Sequence, residues 1–155
     1  MKTTLVINPK GGSGKTTVAI NLAACFAAEN IPTTLMDYDP QASSLTWLRS
    51  RGPNAPMIYA ANGAPEKYGR LRSFEMLVPP HTQQLKLLTR LLDSDMYLKA
   101  AESGVGIFEM DAGQTAVERR QFTPIVDWVR GEAAMQMARV DGAGTEVQLV
   151  RRVAF

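Results

Sequence analysis

The chain has 155 residues, of which 45% are hydrophobic and 21% are charged, and its formal net charge is +2. This balance is typical of one ordinary globular domain, and it excludes global disorder and a polybasic nucleic-acid arm. No apolar stretch is long enough to span a membrane and the N-terminus lacks a small-residue cleavage site, so we expect neither a membrane segment nor a secretory signal.

The chain contains a single cysteine, Cys25, and a single histidine, His81. This count excludes an internal disulfide and a cysteine-rich metal site. A lone thiol on an apolar helix face is ordinarily buried, and low cysteine usage is typical of a reducing compartment. We therefore expect a cytoplasmic protein.

The first third of the chain predicts a strand, a helix and a second strand. Residues 3–7 form a short β-prone run, and residues 33–36 form another. Between them, over 15–29, apolar residues recur at helical spacing, at Val18, Leu22, Cys25 and Phe26. Asn30 and Pro32 are stop signals for this helix. The order is that of a βαβ unit, in which the two strands run parallel.

The rest of the chain carries weaker signals. We expect a short helix over 42–51, a strand at 57–59 within a loop, and candidate strands at 74–78 and 85–92, the last of which is alternatively a short helix. Asp93 or Ser94 can cap a helix that ends at Glu102 before Gly104. The remaining expectations are a helix over 116–140 interrupted at Pro124 and Gly131, a turn at Asp141-Gly142, and an edge strand or loose tail over 146–155.

The segment between the first strand and the first helix has the composition of a phosphate-binding loop. Its glycines allow successive backbone N–H groups to converge on one anion, and the helix N-terminus adds a positive dipole end. We expect Lys15 to reach the β- and γ-phosphates of a nucleotide, Thr16 to ligate Mg²⁺ and Thr17 to lie near the α-phosphate. The candidate nucleotide-binding residues are Lys10, Gly11, Gly12, Ser13, Gly14, Lys15, Thr16 and Thr17.

A second lysine near the start of the loop makes the pattern more specific. The general phosphate-loop pattern has a glycine five residues before Gly14, where this chain has Pro9. The run from Lys10 to Thr16 resembles the deviant Walker A motif of the ParA/MinD-type partition ATPases. The resemblance implies a homodimer around ATP and Mg²⁺, in which Lys10 reaches the partner's phosphates as an arginine finger does.

The same resemblance implies an α/β fold of the P-loop NTPase type, with a mainly parallel sheet flanked by helices. We expect a single nucleotide-binding domain over 1–155, with a tail of uncertain structure over 131–155. The nitrogenase iron proteins share the loop, but their iron–sulfur cluster takes two cysteines from each chain. The single Cys25 excludes that branch.

The segment Asp37-Tyr38-Asp39-Pro40-Gln41 resembles the second motif of the family, called Walker A′. Two carboxylates at the end of a strand beside the phosphate loop can serve a magnesium ion and orient a water. The resemblance assigns the attacking water to Asp39 and the surroundings of Mg²⁺ to Asp37, through a water molecule rather than directly. The alternative is a strand that ends in Asp-Pro turn chemistry.

The third motif of the family, the Walker B strand that ends in an aspartate, is missing from the sequence. Asp93 and Asp127 follow apolar residues, but the first lies at a helix cap and the second in a helical pattern. The resemblance covers 1–47 and 71–129, which we interpret as an internal deletion between 82 and 88. Residues 74–78 or 85–92 are the candidates to replace the central strand.

Three functions fit these observations. The first is a ParA-like protein that binds ATP, hydrolyses it weakly or not at all, and acts in plasmid or chromosome partition or intracellular positioning. The second is a degenerate relative that serves as an interaction module, and the third is a small-molecule kinase, against which Lys10 and the aspartate pair argue. The resemblance adds a partition partner protein and non-specific DNA, for which solvated charge is the alternative explanation of the candidate residues, Arg119, Arg120, Arg151 and Arg152.

Overall fold

The computed structural model describes residues 2–8, 10–62, 89–131 and 148–153. In these ranges strands and helices follow each other in the order β1 (Lys2–Ile7), α1 (Lys15–Ala28), β2 (Thr33–Asp37), α2 (Ser43–Ser50), β3 (Ile58–Asn62), α3 (Asp95–Glu102), α4 (Ala116–Arg130) and β4 (Gln148–Val153). The expected α/β class is confirmed. The predicted strands at 3–7, 33–36 and 57–59 and the first two helices lie within a few residues of the observed elements.

The described strands form two ladders. β2 and β3 pair in parallel, with Thr33 opposite Ile58, whereas β1 and β4 pair antiparallel, with Lys2 opposite Val153. Among the described residues no ladder joins β1 directly to β2. The described strands therefore form two separate pairs, one parallel (β2 and β3) and one antiparallel (β1 and β4).

The C-terminal strand β4 supplies the described ladder partner of β1. The sequence offers residues 74–78 and 85–92 as candidates to replace the central strand. Residues 74–78 and 85–88 lie outside the described ranges, and residues 89–92 form neither a strand nor a helix. The predicted turn at Asp141-Gly142 also lies outside them. The edge-strand alternative for 146–155 is confirmed over 148–153.

Helix α1 lies between two clusters of buried side chains. The predicted apolar face packs against α3, α4 and the segment between them through Val18, Leu22 and Cys25. A second face packs against β2, α2 and β3 through Ile20, Ala23, Ala24 and Ala27. The periodicity indicated only the first face, because three of the four residues on the second face are alanines. Because α1 is packed on both faces, its orientation relative to the neighbouring elements is fixed.

The predicted ends of α1 and α3 are confirmed. Asn30 (φ 61°) and Gly104 (φ 67°) follow these helices in the left-handed conformation, and each helix closes with the pair of backbone hydrogen bonds of a Schellman motif. At the start of α3, Ser94 accepts a hydrogen bond from the N–H of Met96 (3.2 Å). Of the two candidate caps, Ser94 is therefore the one used.

Helix α4 runs through Pro124, which corrects the expected interruption there. A proline inside a helix costs about 3 kcal/mol, because it lacks the N–H that bonds the carbonyl four residues earlier. Each fully buried apolar side chain contributes about 1.5–3 kcal/mol, and α4 buries Phe122, Ile125, Val126 and Val129. Burial therefore outweighs the proline. Gly131 (φ 85°) ends the helix as predicted, and residues 132–140 lie outside the described ranges.

A buried amide ties α1 to the segment between α3 and α4. Asn21 is fully buried, and its Nδ2 donates to the carbonyl of Thr17 (2.8 Å) while its Oδ1 accepts from the N–H of Ile107 (2.7 Å). A Cβ on Gly106 would lie 2.5 Å from the Cβ of Ala24, so the two segments approach too closely for a side chain. These contacts fix the position of α1, the helix that follows the glycine-rich loop, against the segment between α3 and α4.

We predict that Asn21→Leu lowers the free energy of unfolding by roughly 1–3 kcal/mol, because the buried N–H of Ile107 loses its acceptor. Urea denaturation measures this change. Glu102→Gln, at the exposed end of α3, is the matched control and should change the free energy by less than about 0.5 kcal/mol. Equal stability of Asn21→Leu and the wild type would contradict the prediction.

Candidate nucleotide-binding site

The glycine-rich loop connects the end of β1 to the start of α1. The side-chain oxygen of Asn8 accepts a hydrogen bond from the N–H of Lys10 (2.8 Å) and begins the turn. Gly12 (φ 68°) and Gly14 (φ 81°) have left-handed conformations that favour glycine. A Cβ at either position would meet nothing within 4 Å. The backbone conformation therefore requires glycine here, and the space beside the loop is open.

The N-terminus of α1 is open to an anion. Gly14 occupies the cap position without a capping side chain, and the first turn contains no acidic residue. The first N–H groups of a helix lack partners within it, and the helix dipole makes this end positive. The ammonium of Lys15 lies at the loop as well, because its Nζ donates to the carbonyl of Lys10 (3.1 Å). The free N–H groups of α1 and the positive charge of Lys15 therefore lie at the same loop, an arrangement that favours phosphate binding.

Exposure divides the side chains of the loop. Lys10 and Thr16 are exposed, so an ammonium and a hydroxyl are accessible to a nucleotide and its metal ion. Ser13 is buried, and its hydroxyl finds no hydrogen-bond partner within the described residues. An unpartnered buried hydroxyl costs about 1–3 kcal/mol. A loop with this deficit and an uncapped helix behind it fits an anionic ligand that supplies acceptors.

The two aspartates lie at and just after the end of β2, and the residues that follow donate to them. Asp37 accepts the N–H of Asp39 at Oδ1 (2.9 Å), and at Oδ2 it accepts the N–H (3.0 Å) and the hydroxyl (2.5 Å) of Ser44. Asp39 accepts the N–H of Gln41 at Oδ1 (3.0 Å). Within the described residues, the hydrogen bonds of both carboxylates stay inside the segment 37–44. Turn chemistry, the alternative for this motif, accounts for the bonds from the N–H groups of Asp39 and Gln41, whereas the two bonds from Ser44 come from the first turn of α2.

Packing links the aspartate segment to the helix that follows the loop. Leu35, in the middle of β2, is buried in the same cluster as Ile20 and Ala24 of α1. The strand that carries Asp37 therefore lies against the helix that begins at Lys15.

Neither candidate for the Walker B aspartate lies at the end of a strand. Asp93 is exposed in the segment before α3, and Asp127 lies within α4. The described ranges also contain no group of three His, Cys, Asp or Glu side chains able to hold a metal ion. Of the two residues predicted to serve a metal ion, Thr16 is exposed and Asp37 is partly buried.

Sequence reasoning does not single out Ser44, although it is bonded to a candidate metal-site carboxylate. The signal that could have found it is local. The helix over 43–50 begins after Ala42, which has no side-chain acceptor for the first N–H groups, so another acceptor must serve them. Asp37 is a carboxylate close by in the sequence.

The arginines proposed as DNA contacts differ in their surroundings. Arg119 donates through Nη2 to the carbonyls of Phe108 (3.0 Å) and Met110 (2.7 Å). Its guanidinium thus holds the segment before α4. Arg120 is exposed, and the side chains of Arg151 and Arg152 lie outside the described part of the structure. Among the helices that are described, none is long and apolar enough to cross a membrane.

Cys25 belongs to the core. Its side chain is buried on α1, with Sγ 3.8 Å from Oε1 of Glu29. Burial, and after it the negative charge of Glu29, raises the pKa of the thiol from 9.0 to about 11. The thiolate is therefore scarce near neutral pH, and the expectation of a buried structural thiol is confirmed.

We predict that iodoacetamide alkylates Cys25 at pH 8 at least about a hundredfold more slowly in the folded chain than in urea. The raised pKa lowers the thiolate fraction by roughly that factor, because only the thiolate reacts. Mass spectrometry of timed samples measures both rates. Similar rates in the two states would show that the thiol is not protected as the structure indicates.

A strand that leads through a glycine-rich turn into a buried helix, followed by a strand that ends in paired aspartates, defines a P-loop nucleotide-binding domain. A comparison with known protein families agrees with this class and indicates one family within it. Residues 4–143 match the CobQ/CobB/MinD/ParA nucleotide binding domain. The chain belongs to this family.

Three curated relatives share short segments with the chain. The maintenance of carboxysome distribution protein A of Gloeobacter kilaueensis is 52% identical over 50 residues, which are 32% of this chain and 22% of that protein. The chromosome-partitioning ATPase Soj of Treponema pallidum is 52% identical over 42 residues (27% and 17%). The chromosome partitioning protein ParA of Myxococcus xanthus is 54% identical over 39 residues (25% and 14%). The chain thus matches only a small part of each relative's length.

Proposed function

We propose that the chain binds ATP with Mg²⁺ through the loop over 10–17. The observation that carries this proposal is the uncapped N-terminus of α1 behind the left-handed Gly12 and Gly14. Backbone N–H groups of the loop bind the phosphates, and Lys15 pairs with the β- and γ-phosphates. One relative is named an ATPase, which supports ATP as the nucleotide.

Magnesium neutralises charge on the phosphates when it is bound, and the side-chain oxygens of Thr16 and Asp37 are the kind of ligand that it prefers. Oxygen ligands and retained waters are typical of Mg²⁺. In this proposal Thr16 would ligate the ion through its exposed hydroxyl, and Asp37 would serve it through a water molecule. Asp39 is exposed and would position the attacking water.

Hydrolysis should be weak. Phosphoryl transfer depends on placement, and a displacement of about 1 Å can cost roughly a hundredfold in rate. Within the described ranges, neither Asp93 nor Asp127 lies at a strand end to complete the magnesium surroundings. The proposed activity is therefore ATP binding with little or no turnover.

The biological role proposed is plasmid or chromosome partition or the positioning of an intracellular cargo. The names of the relatives, for chromosome partitioning and carboxysome distribution, support it. A cytoplasmic homodimer formed around ATP, a partition partner protein and non-specific DNA belong to this proposal. We place the activity in a single domain over 1–155. A chain that binds no nucleotide would instead favour the interaction module.

We predict that Lys15→Ala abolishes measurable ATP binding, because it removes the charge that pairs with the terminal phosphates. Isothermal titration calorimetry with Mg²⁺ present measures the affinity. Lys99→Ala, an exposed lysine in the last turn of α3, is the matched control and should bind like the wild type. Retained affinity in Lys15→Ala would refute the assignment of the loop.

Lys10→Ala should leave the affinity of the monomer for ATP nearly unchanged and weaken the ATP-dependent dimer. Its ammonium is exposed at the loop and is proposed to contact phosphates across the dimer interface. Sedimentation with a non-hydrolysable ATP analogue measures the dimer, and calorimetry at low protein concentration measures the monomer. Equal loss of affinity in the monomer would place Lys10 in its own site instead.

A further inference from the structure

The second residue of α2, Ser44, is buried and directs two hydrogen bonds to one carboxylate oxygen. Its N–H and its hydroxyl donate to Oδ2 of Asp37, at 3.0 and 2.5 Å. The cap position of α2 is Ala42 (φ 49°), which forms no side-chain cap. Asp37, seven residues before Ser44, therefore provides the acceptor that a capping side chain ordinarily supplies.

This arrangement leaves one oxygen of Asp37 available to further donors. An ionised carboxylate has about four acceptor sites, two on each oxygen. Ser44 occupies both sites of Oδ2, and the N–H of Asp39 occupies one site of Oδ1 (2.9 Å). A donor from outside the segment can therefore bond only at Oδ1.

The helix that carries Ser44 is anchored at its other end as well. Arg51 directly follows α2, and its guanidinium forms two hydrogen bonds with Glu109 (2.7 and 2.9 Å), with only 5% and 8% of the two side chains exposed. The same guanidinium lies 4.9 Å from the ring centroid of Trp47, which is itself buried against α1. The position of Ser44 is thus fixed relative to the core.

We propose that Ser44 is a positioning residue for the magnesium surroundings of the nucleotide site. By holding Oδ2, it orients Asp37 so that Oδ1 accepts from a water of the bound Mg²⁺. Ser44 itself touches neither metal nor nucleotide. The inference rests on the proposed function, since it assumes that nucleotide and Mg²⁺ bind at the loop.

The test compares Ser44→Ala with Ser44→Thr, which keeps the hydroxyl, and with Ser43→Ala, an exposed neighbour. The measured quantity is the Mg²⁺ concentration that half-maximally increases the affinity for a non-hydrolysable ATP analogue. Ser44→Ala should raise it about three- to tenfold, because one charge-assisted hydrogen bond is lost while the backbone bond stays. The two other variants should match the wild type, and thermal unfolding confirms that each variant is folded.

Affinity for the analogue in EDTA separates positioning from support of the fold. It should be the same in Ser44→Ala and the wild type, because Asp37 acts only through Mg²⁺. Equal loss with and without Mg²⁺ would show that Ser44 merely supports the loop, and an unchanged Mg²⁺ dependence would show that it does nothing. Either result overturns the inference while the proposed function stands. A wild-type chain that binds no analogue would overturn both.

Discussion

The burial of α1 on two sides is the constraint on which the rest of the structure depends. A helix held by one face can rotate or slide on its neighbour, whereas α1 is enclosed by the cluster of Val18 and Leu22 on one side and by that of Ile20 and Ala24 on the other. Each large apolar side chain removed from water contributes about 1.5–3 kcal/mol. The direction in which the helix N-terminus points is therefore set by packing and needs no cap.

The starts of three helices show how capping is distributed. Ser94 caps α3 with its own side chain, and α2 takes its acceptor from Asp37 at the end of β2. Gly14, at the cap position of α1, provides no capping side chain, although such a cap is worth about 1 kcal/mol. Packing offsets this loss, and the open N–H groups lie beside the loop in which Gly12 and Gly14 have left-handed conformations.

The features that the sequence predicts well are those decided within a few residues. The loop over 10–17 is contiguous, and the helix ends at Asn30 and Gly104 depend on their own backbone conformation. The second apolar face of α1 escapes prediction, because alanines become core residues only when β2 and α2 pack on them. The interruption of α4 predicted at Pro124 is wrong for the same reason, since the burial of side chains against partners distant in sequence outweighs the local cost of a proline. The role of Ser44 depends on how the backbone turns at Ala42, which side-chain pattern does not reveal.

Buried polar groups between α3 and α4 connect the helices that follow the glycine-rich loop and the aspartate pair, which no direct ladder between β1 and β2 joins within the described residues. The segment 103–111 forms hydrogen bonds or ion pairs with α1, with α4 and with the residue that follows α2. Ile107 donates to Asn21 of α1, Glu109 pairs with the arginine that follows α2, and the carbonyl of Phe108 accepts from Arg119 of α4. Leaving any of these partners alone in the interior would cost several kcal/mol for a charge and about 1–3 kcal/mol for a neutral group. The loop before α1 and the aspartates before α2 are therefore each held by the helix that follows them.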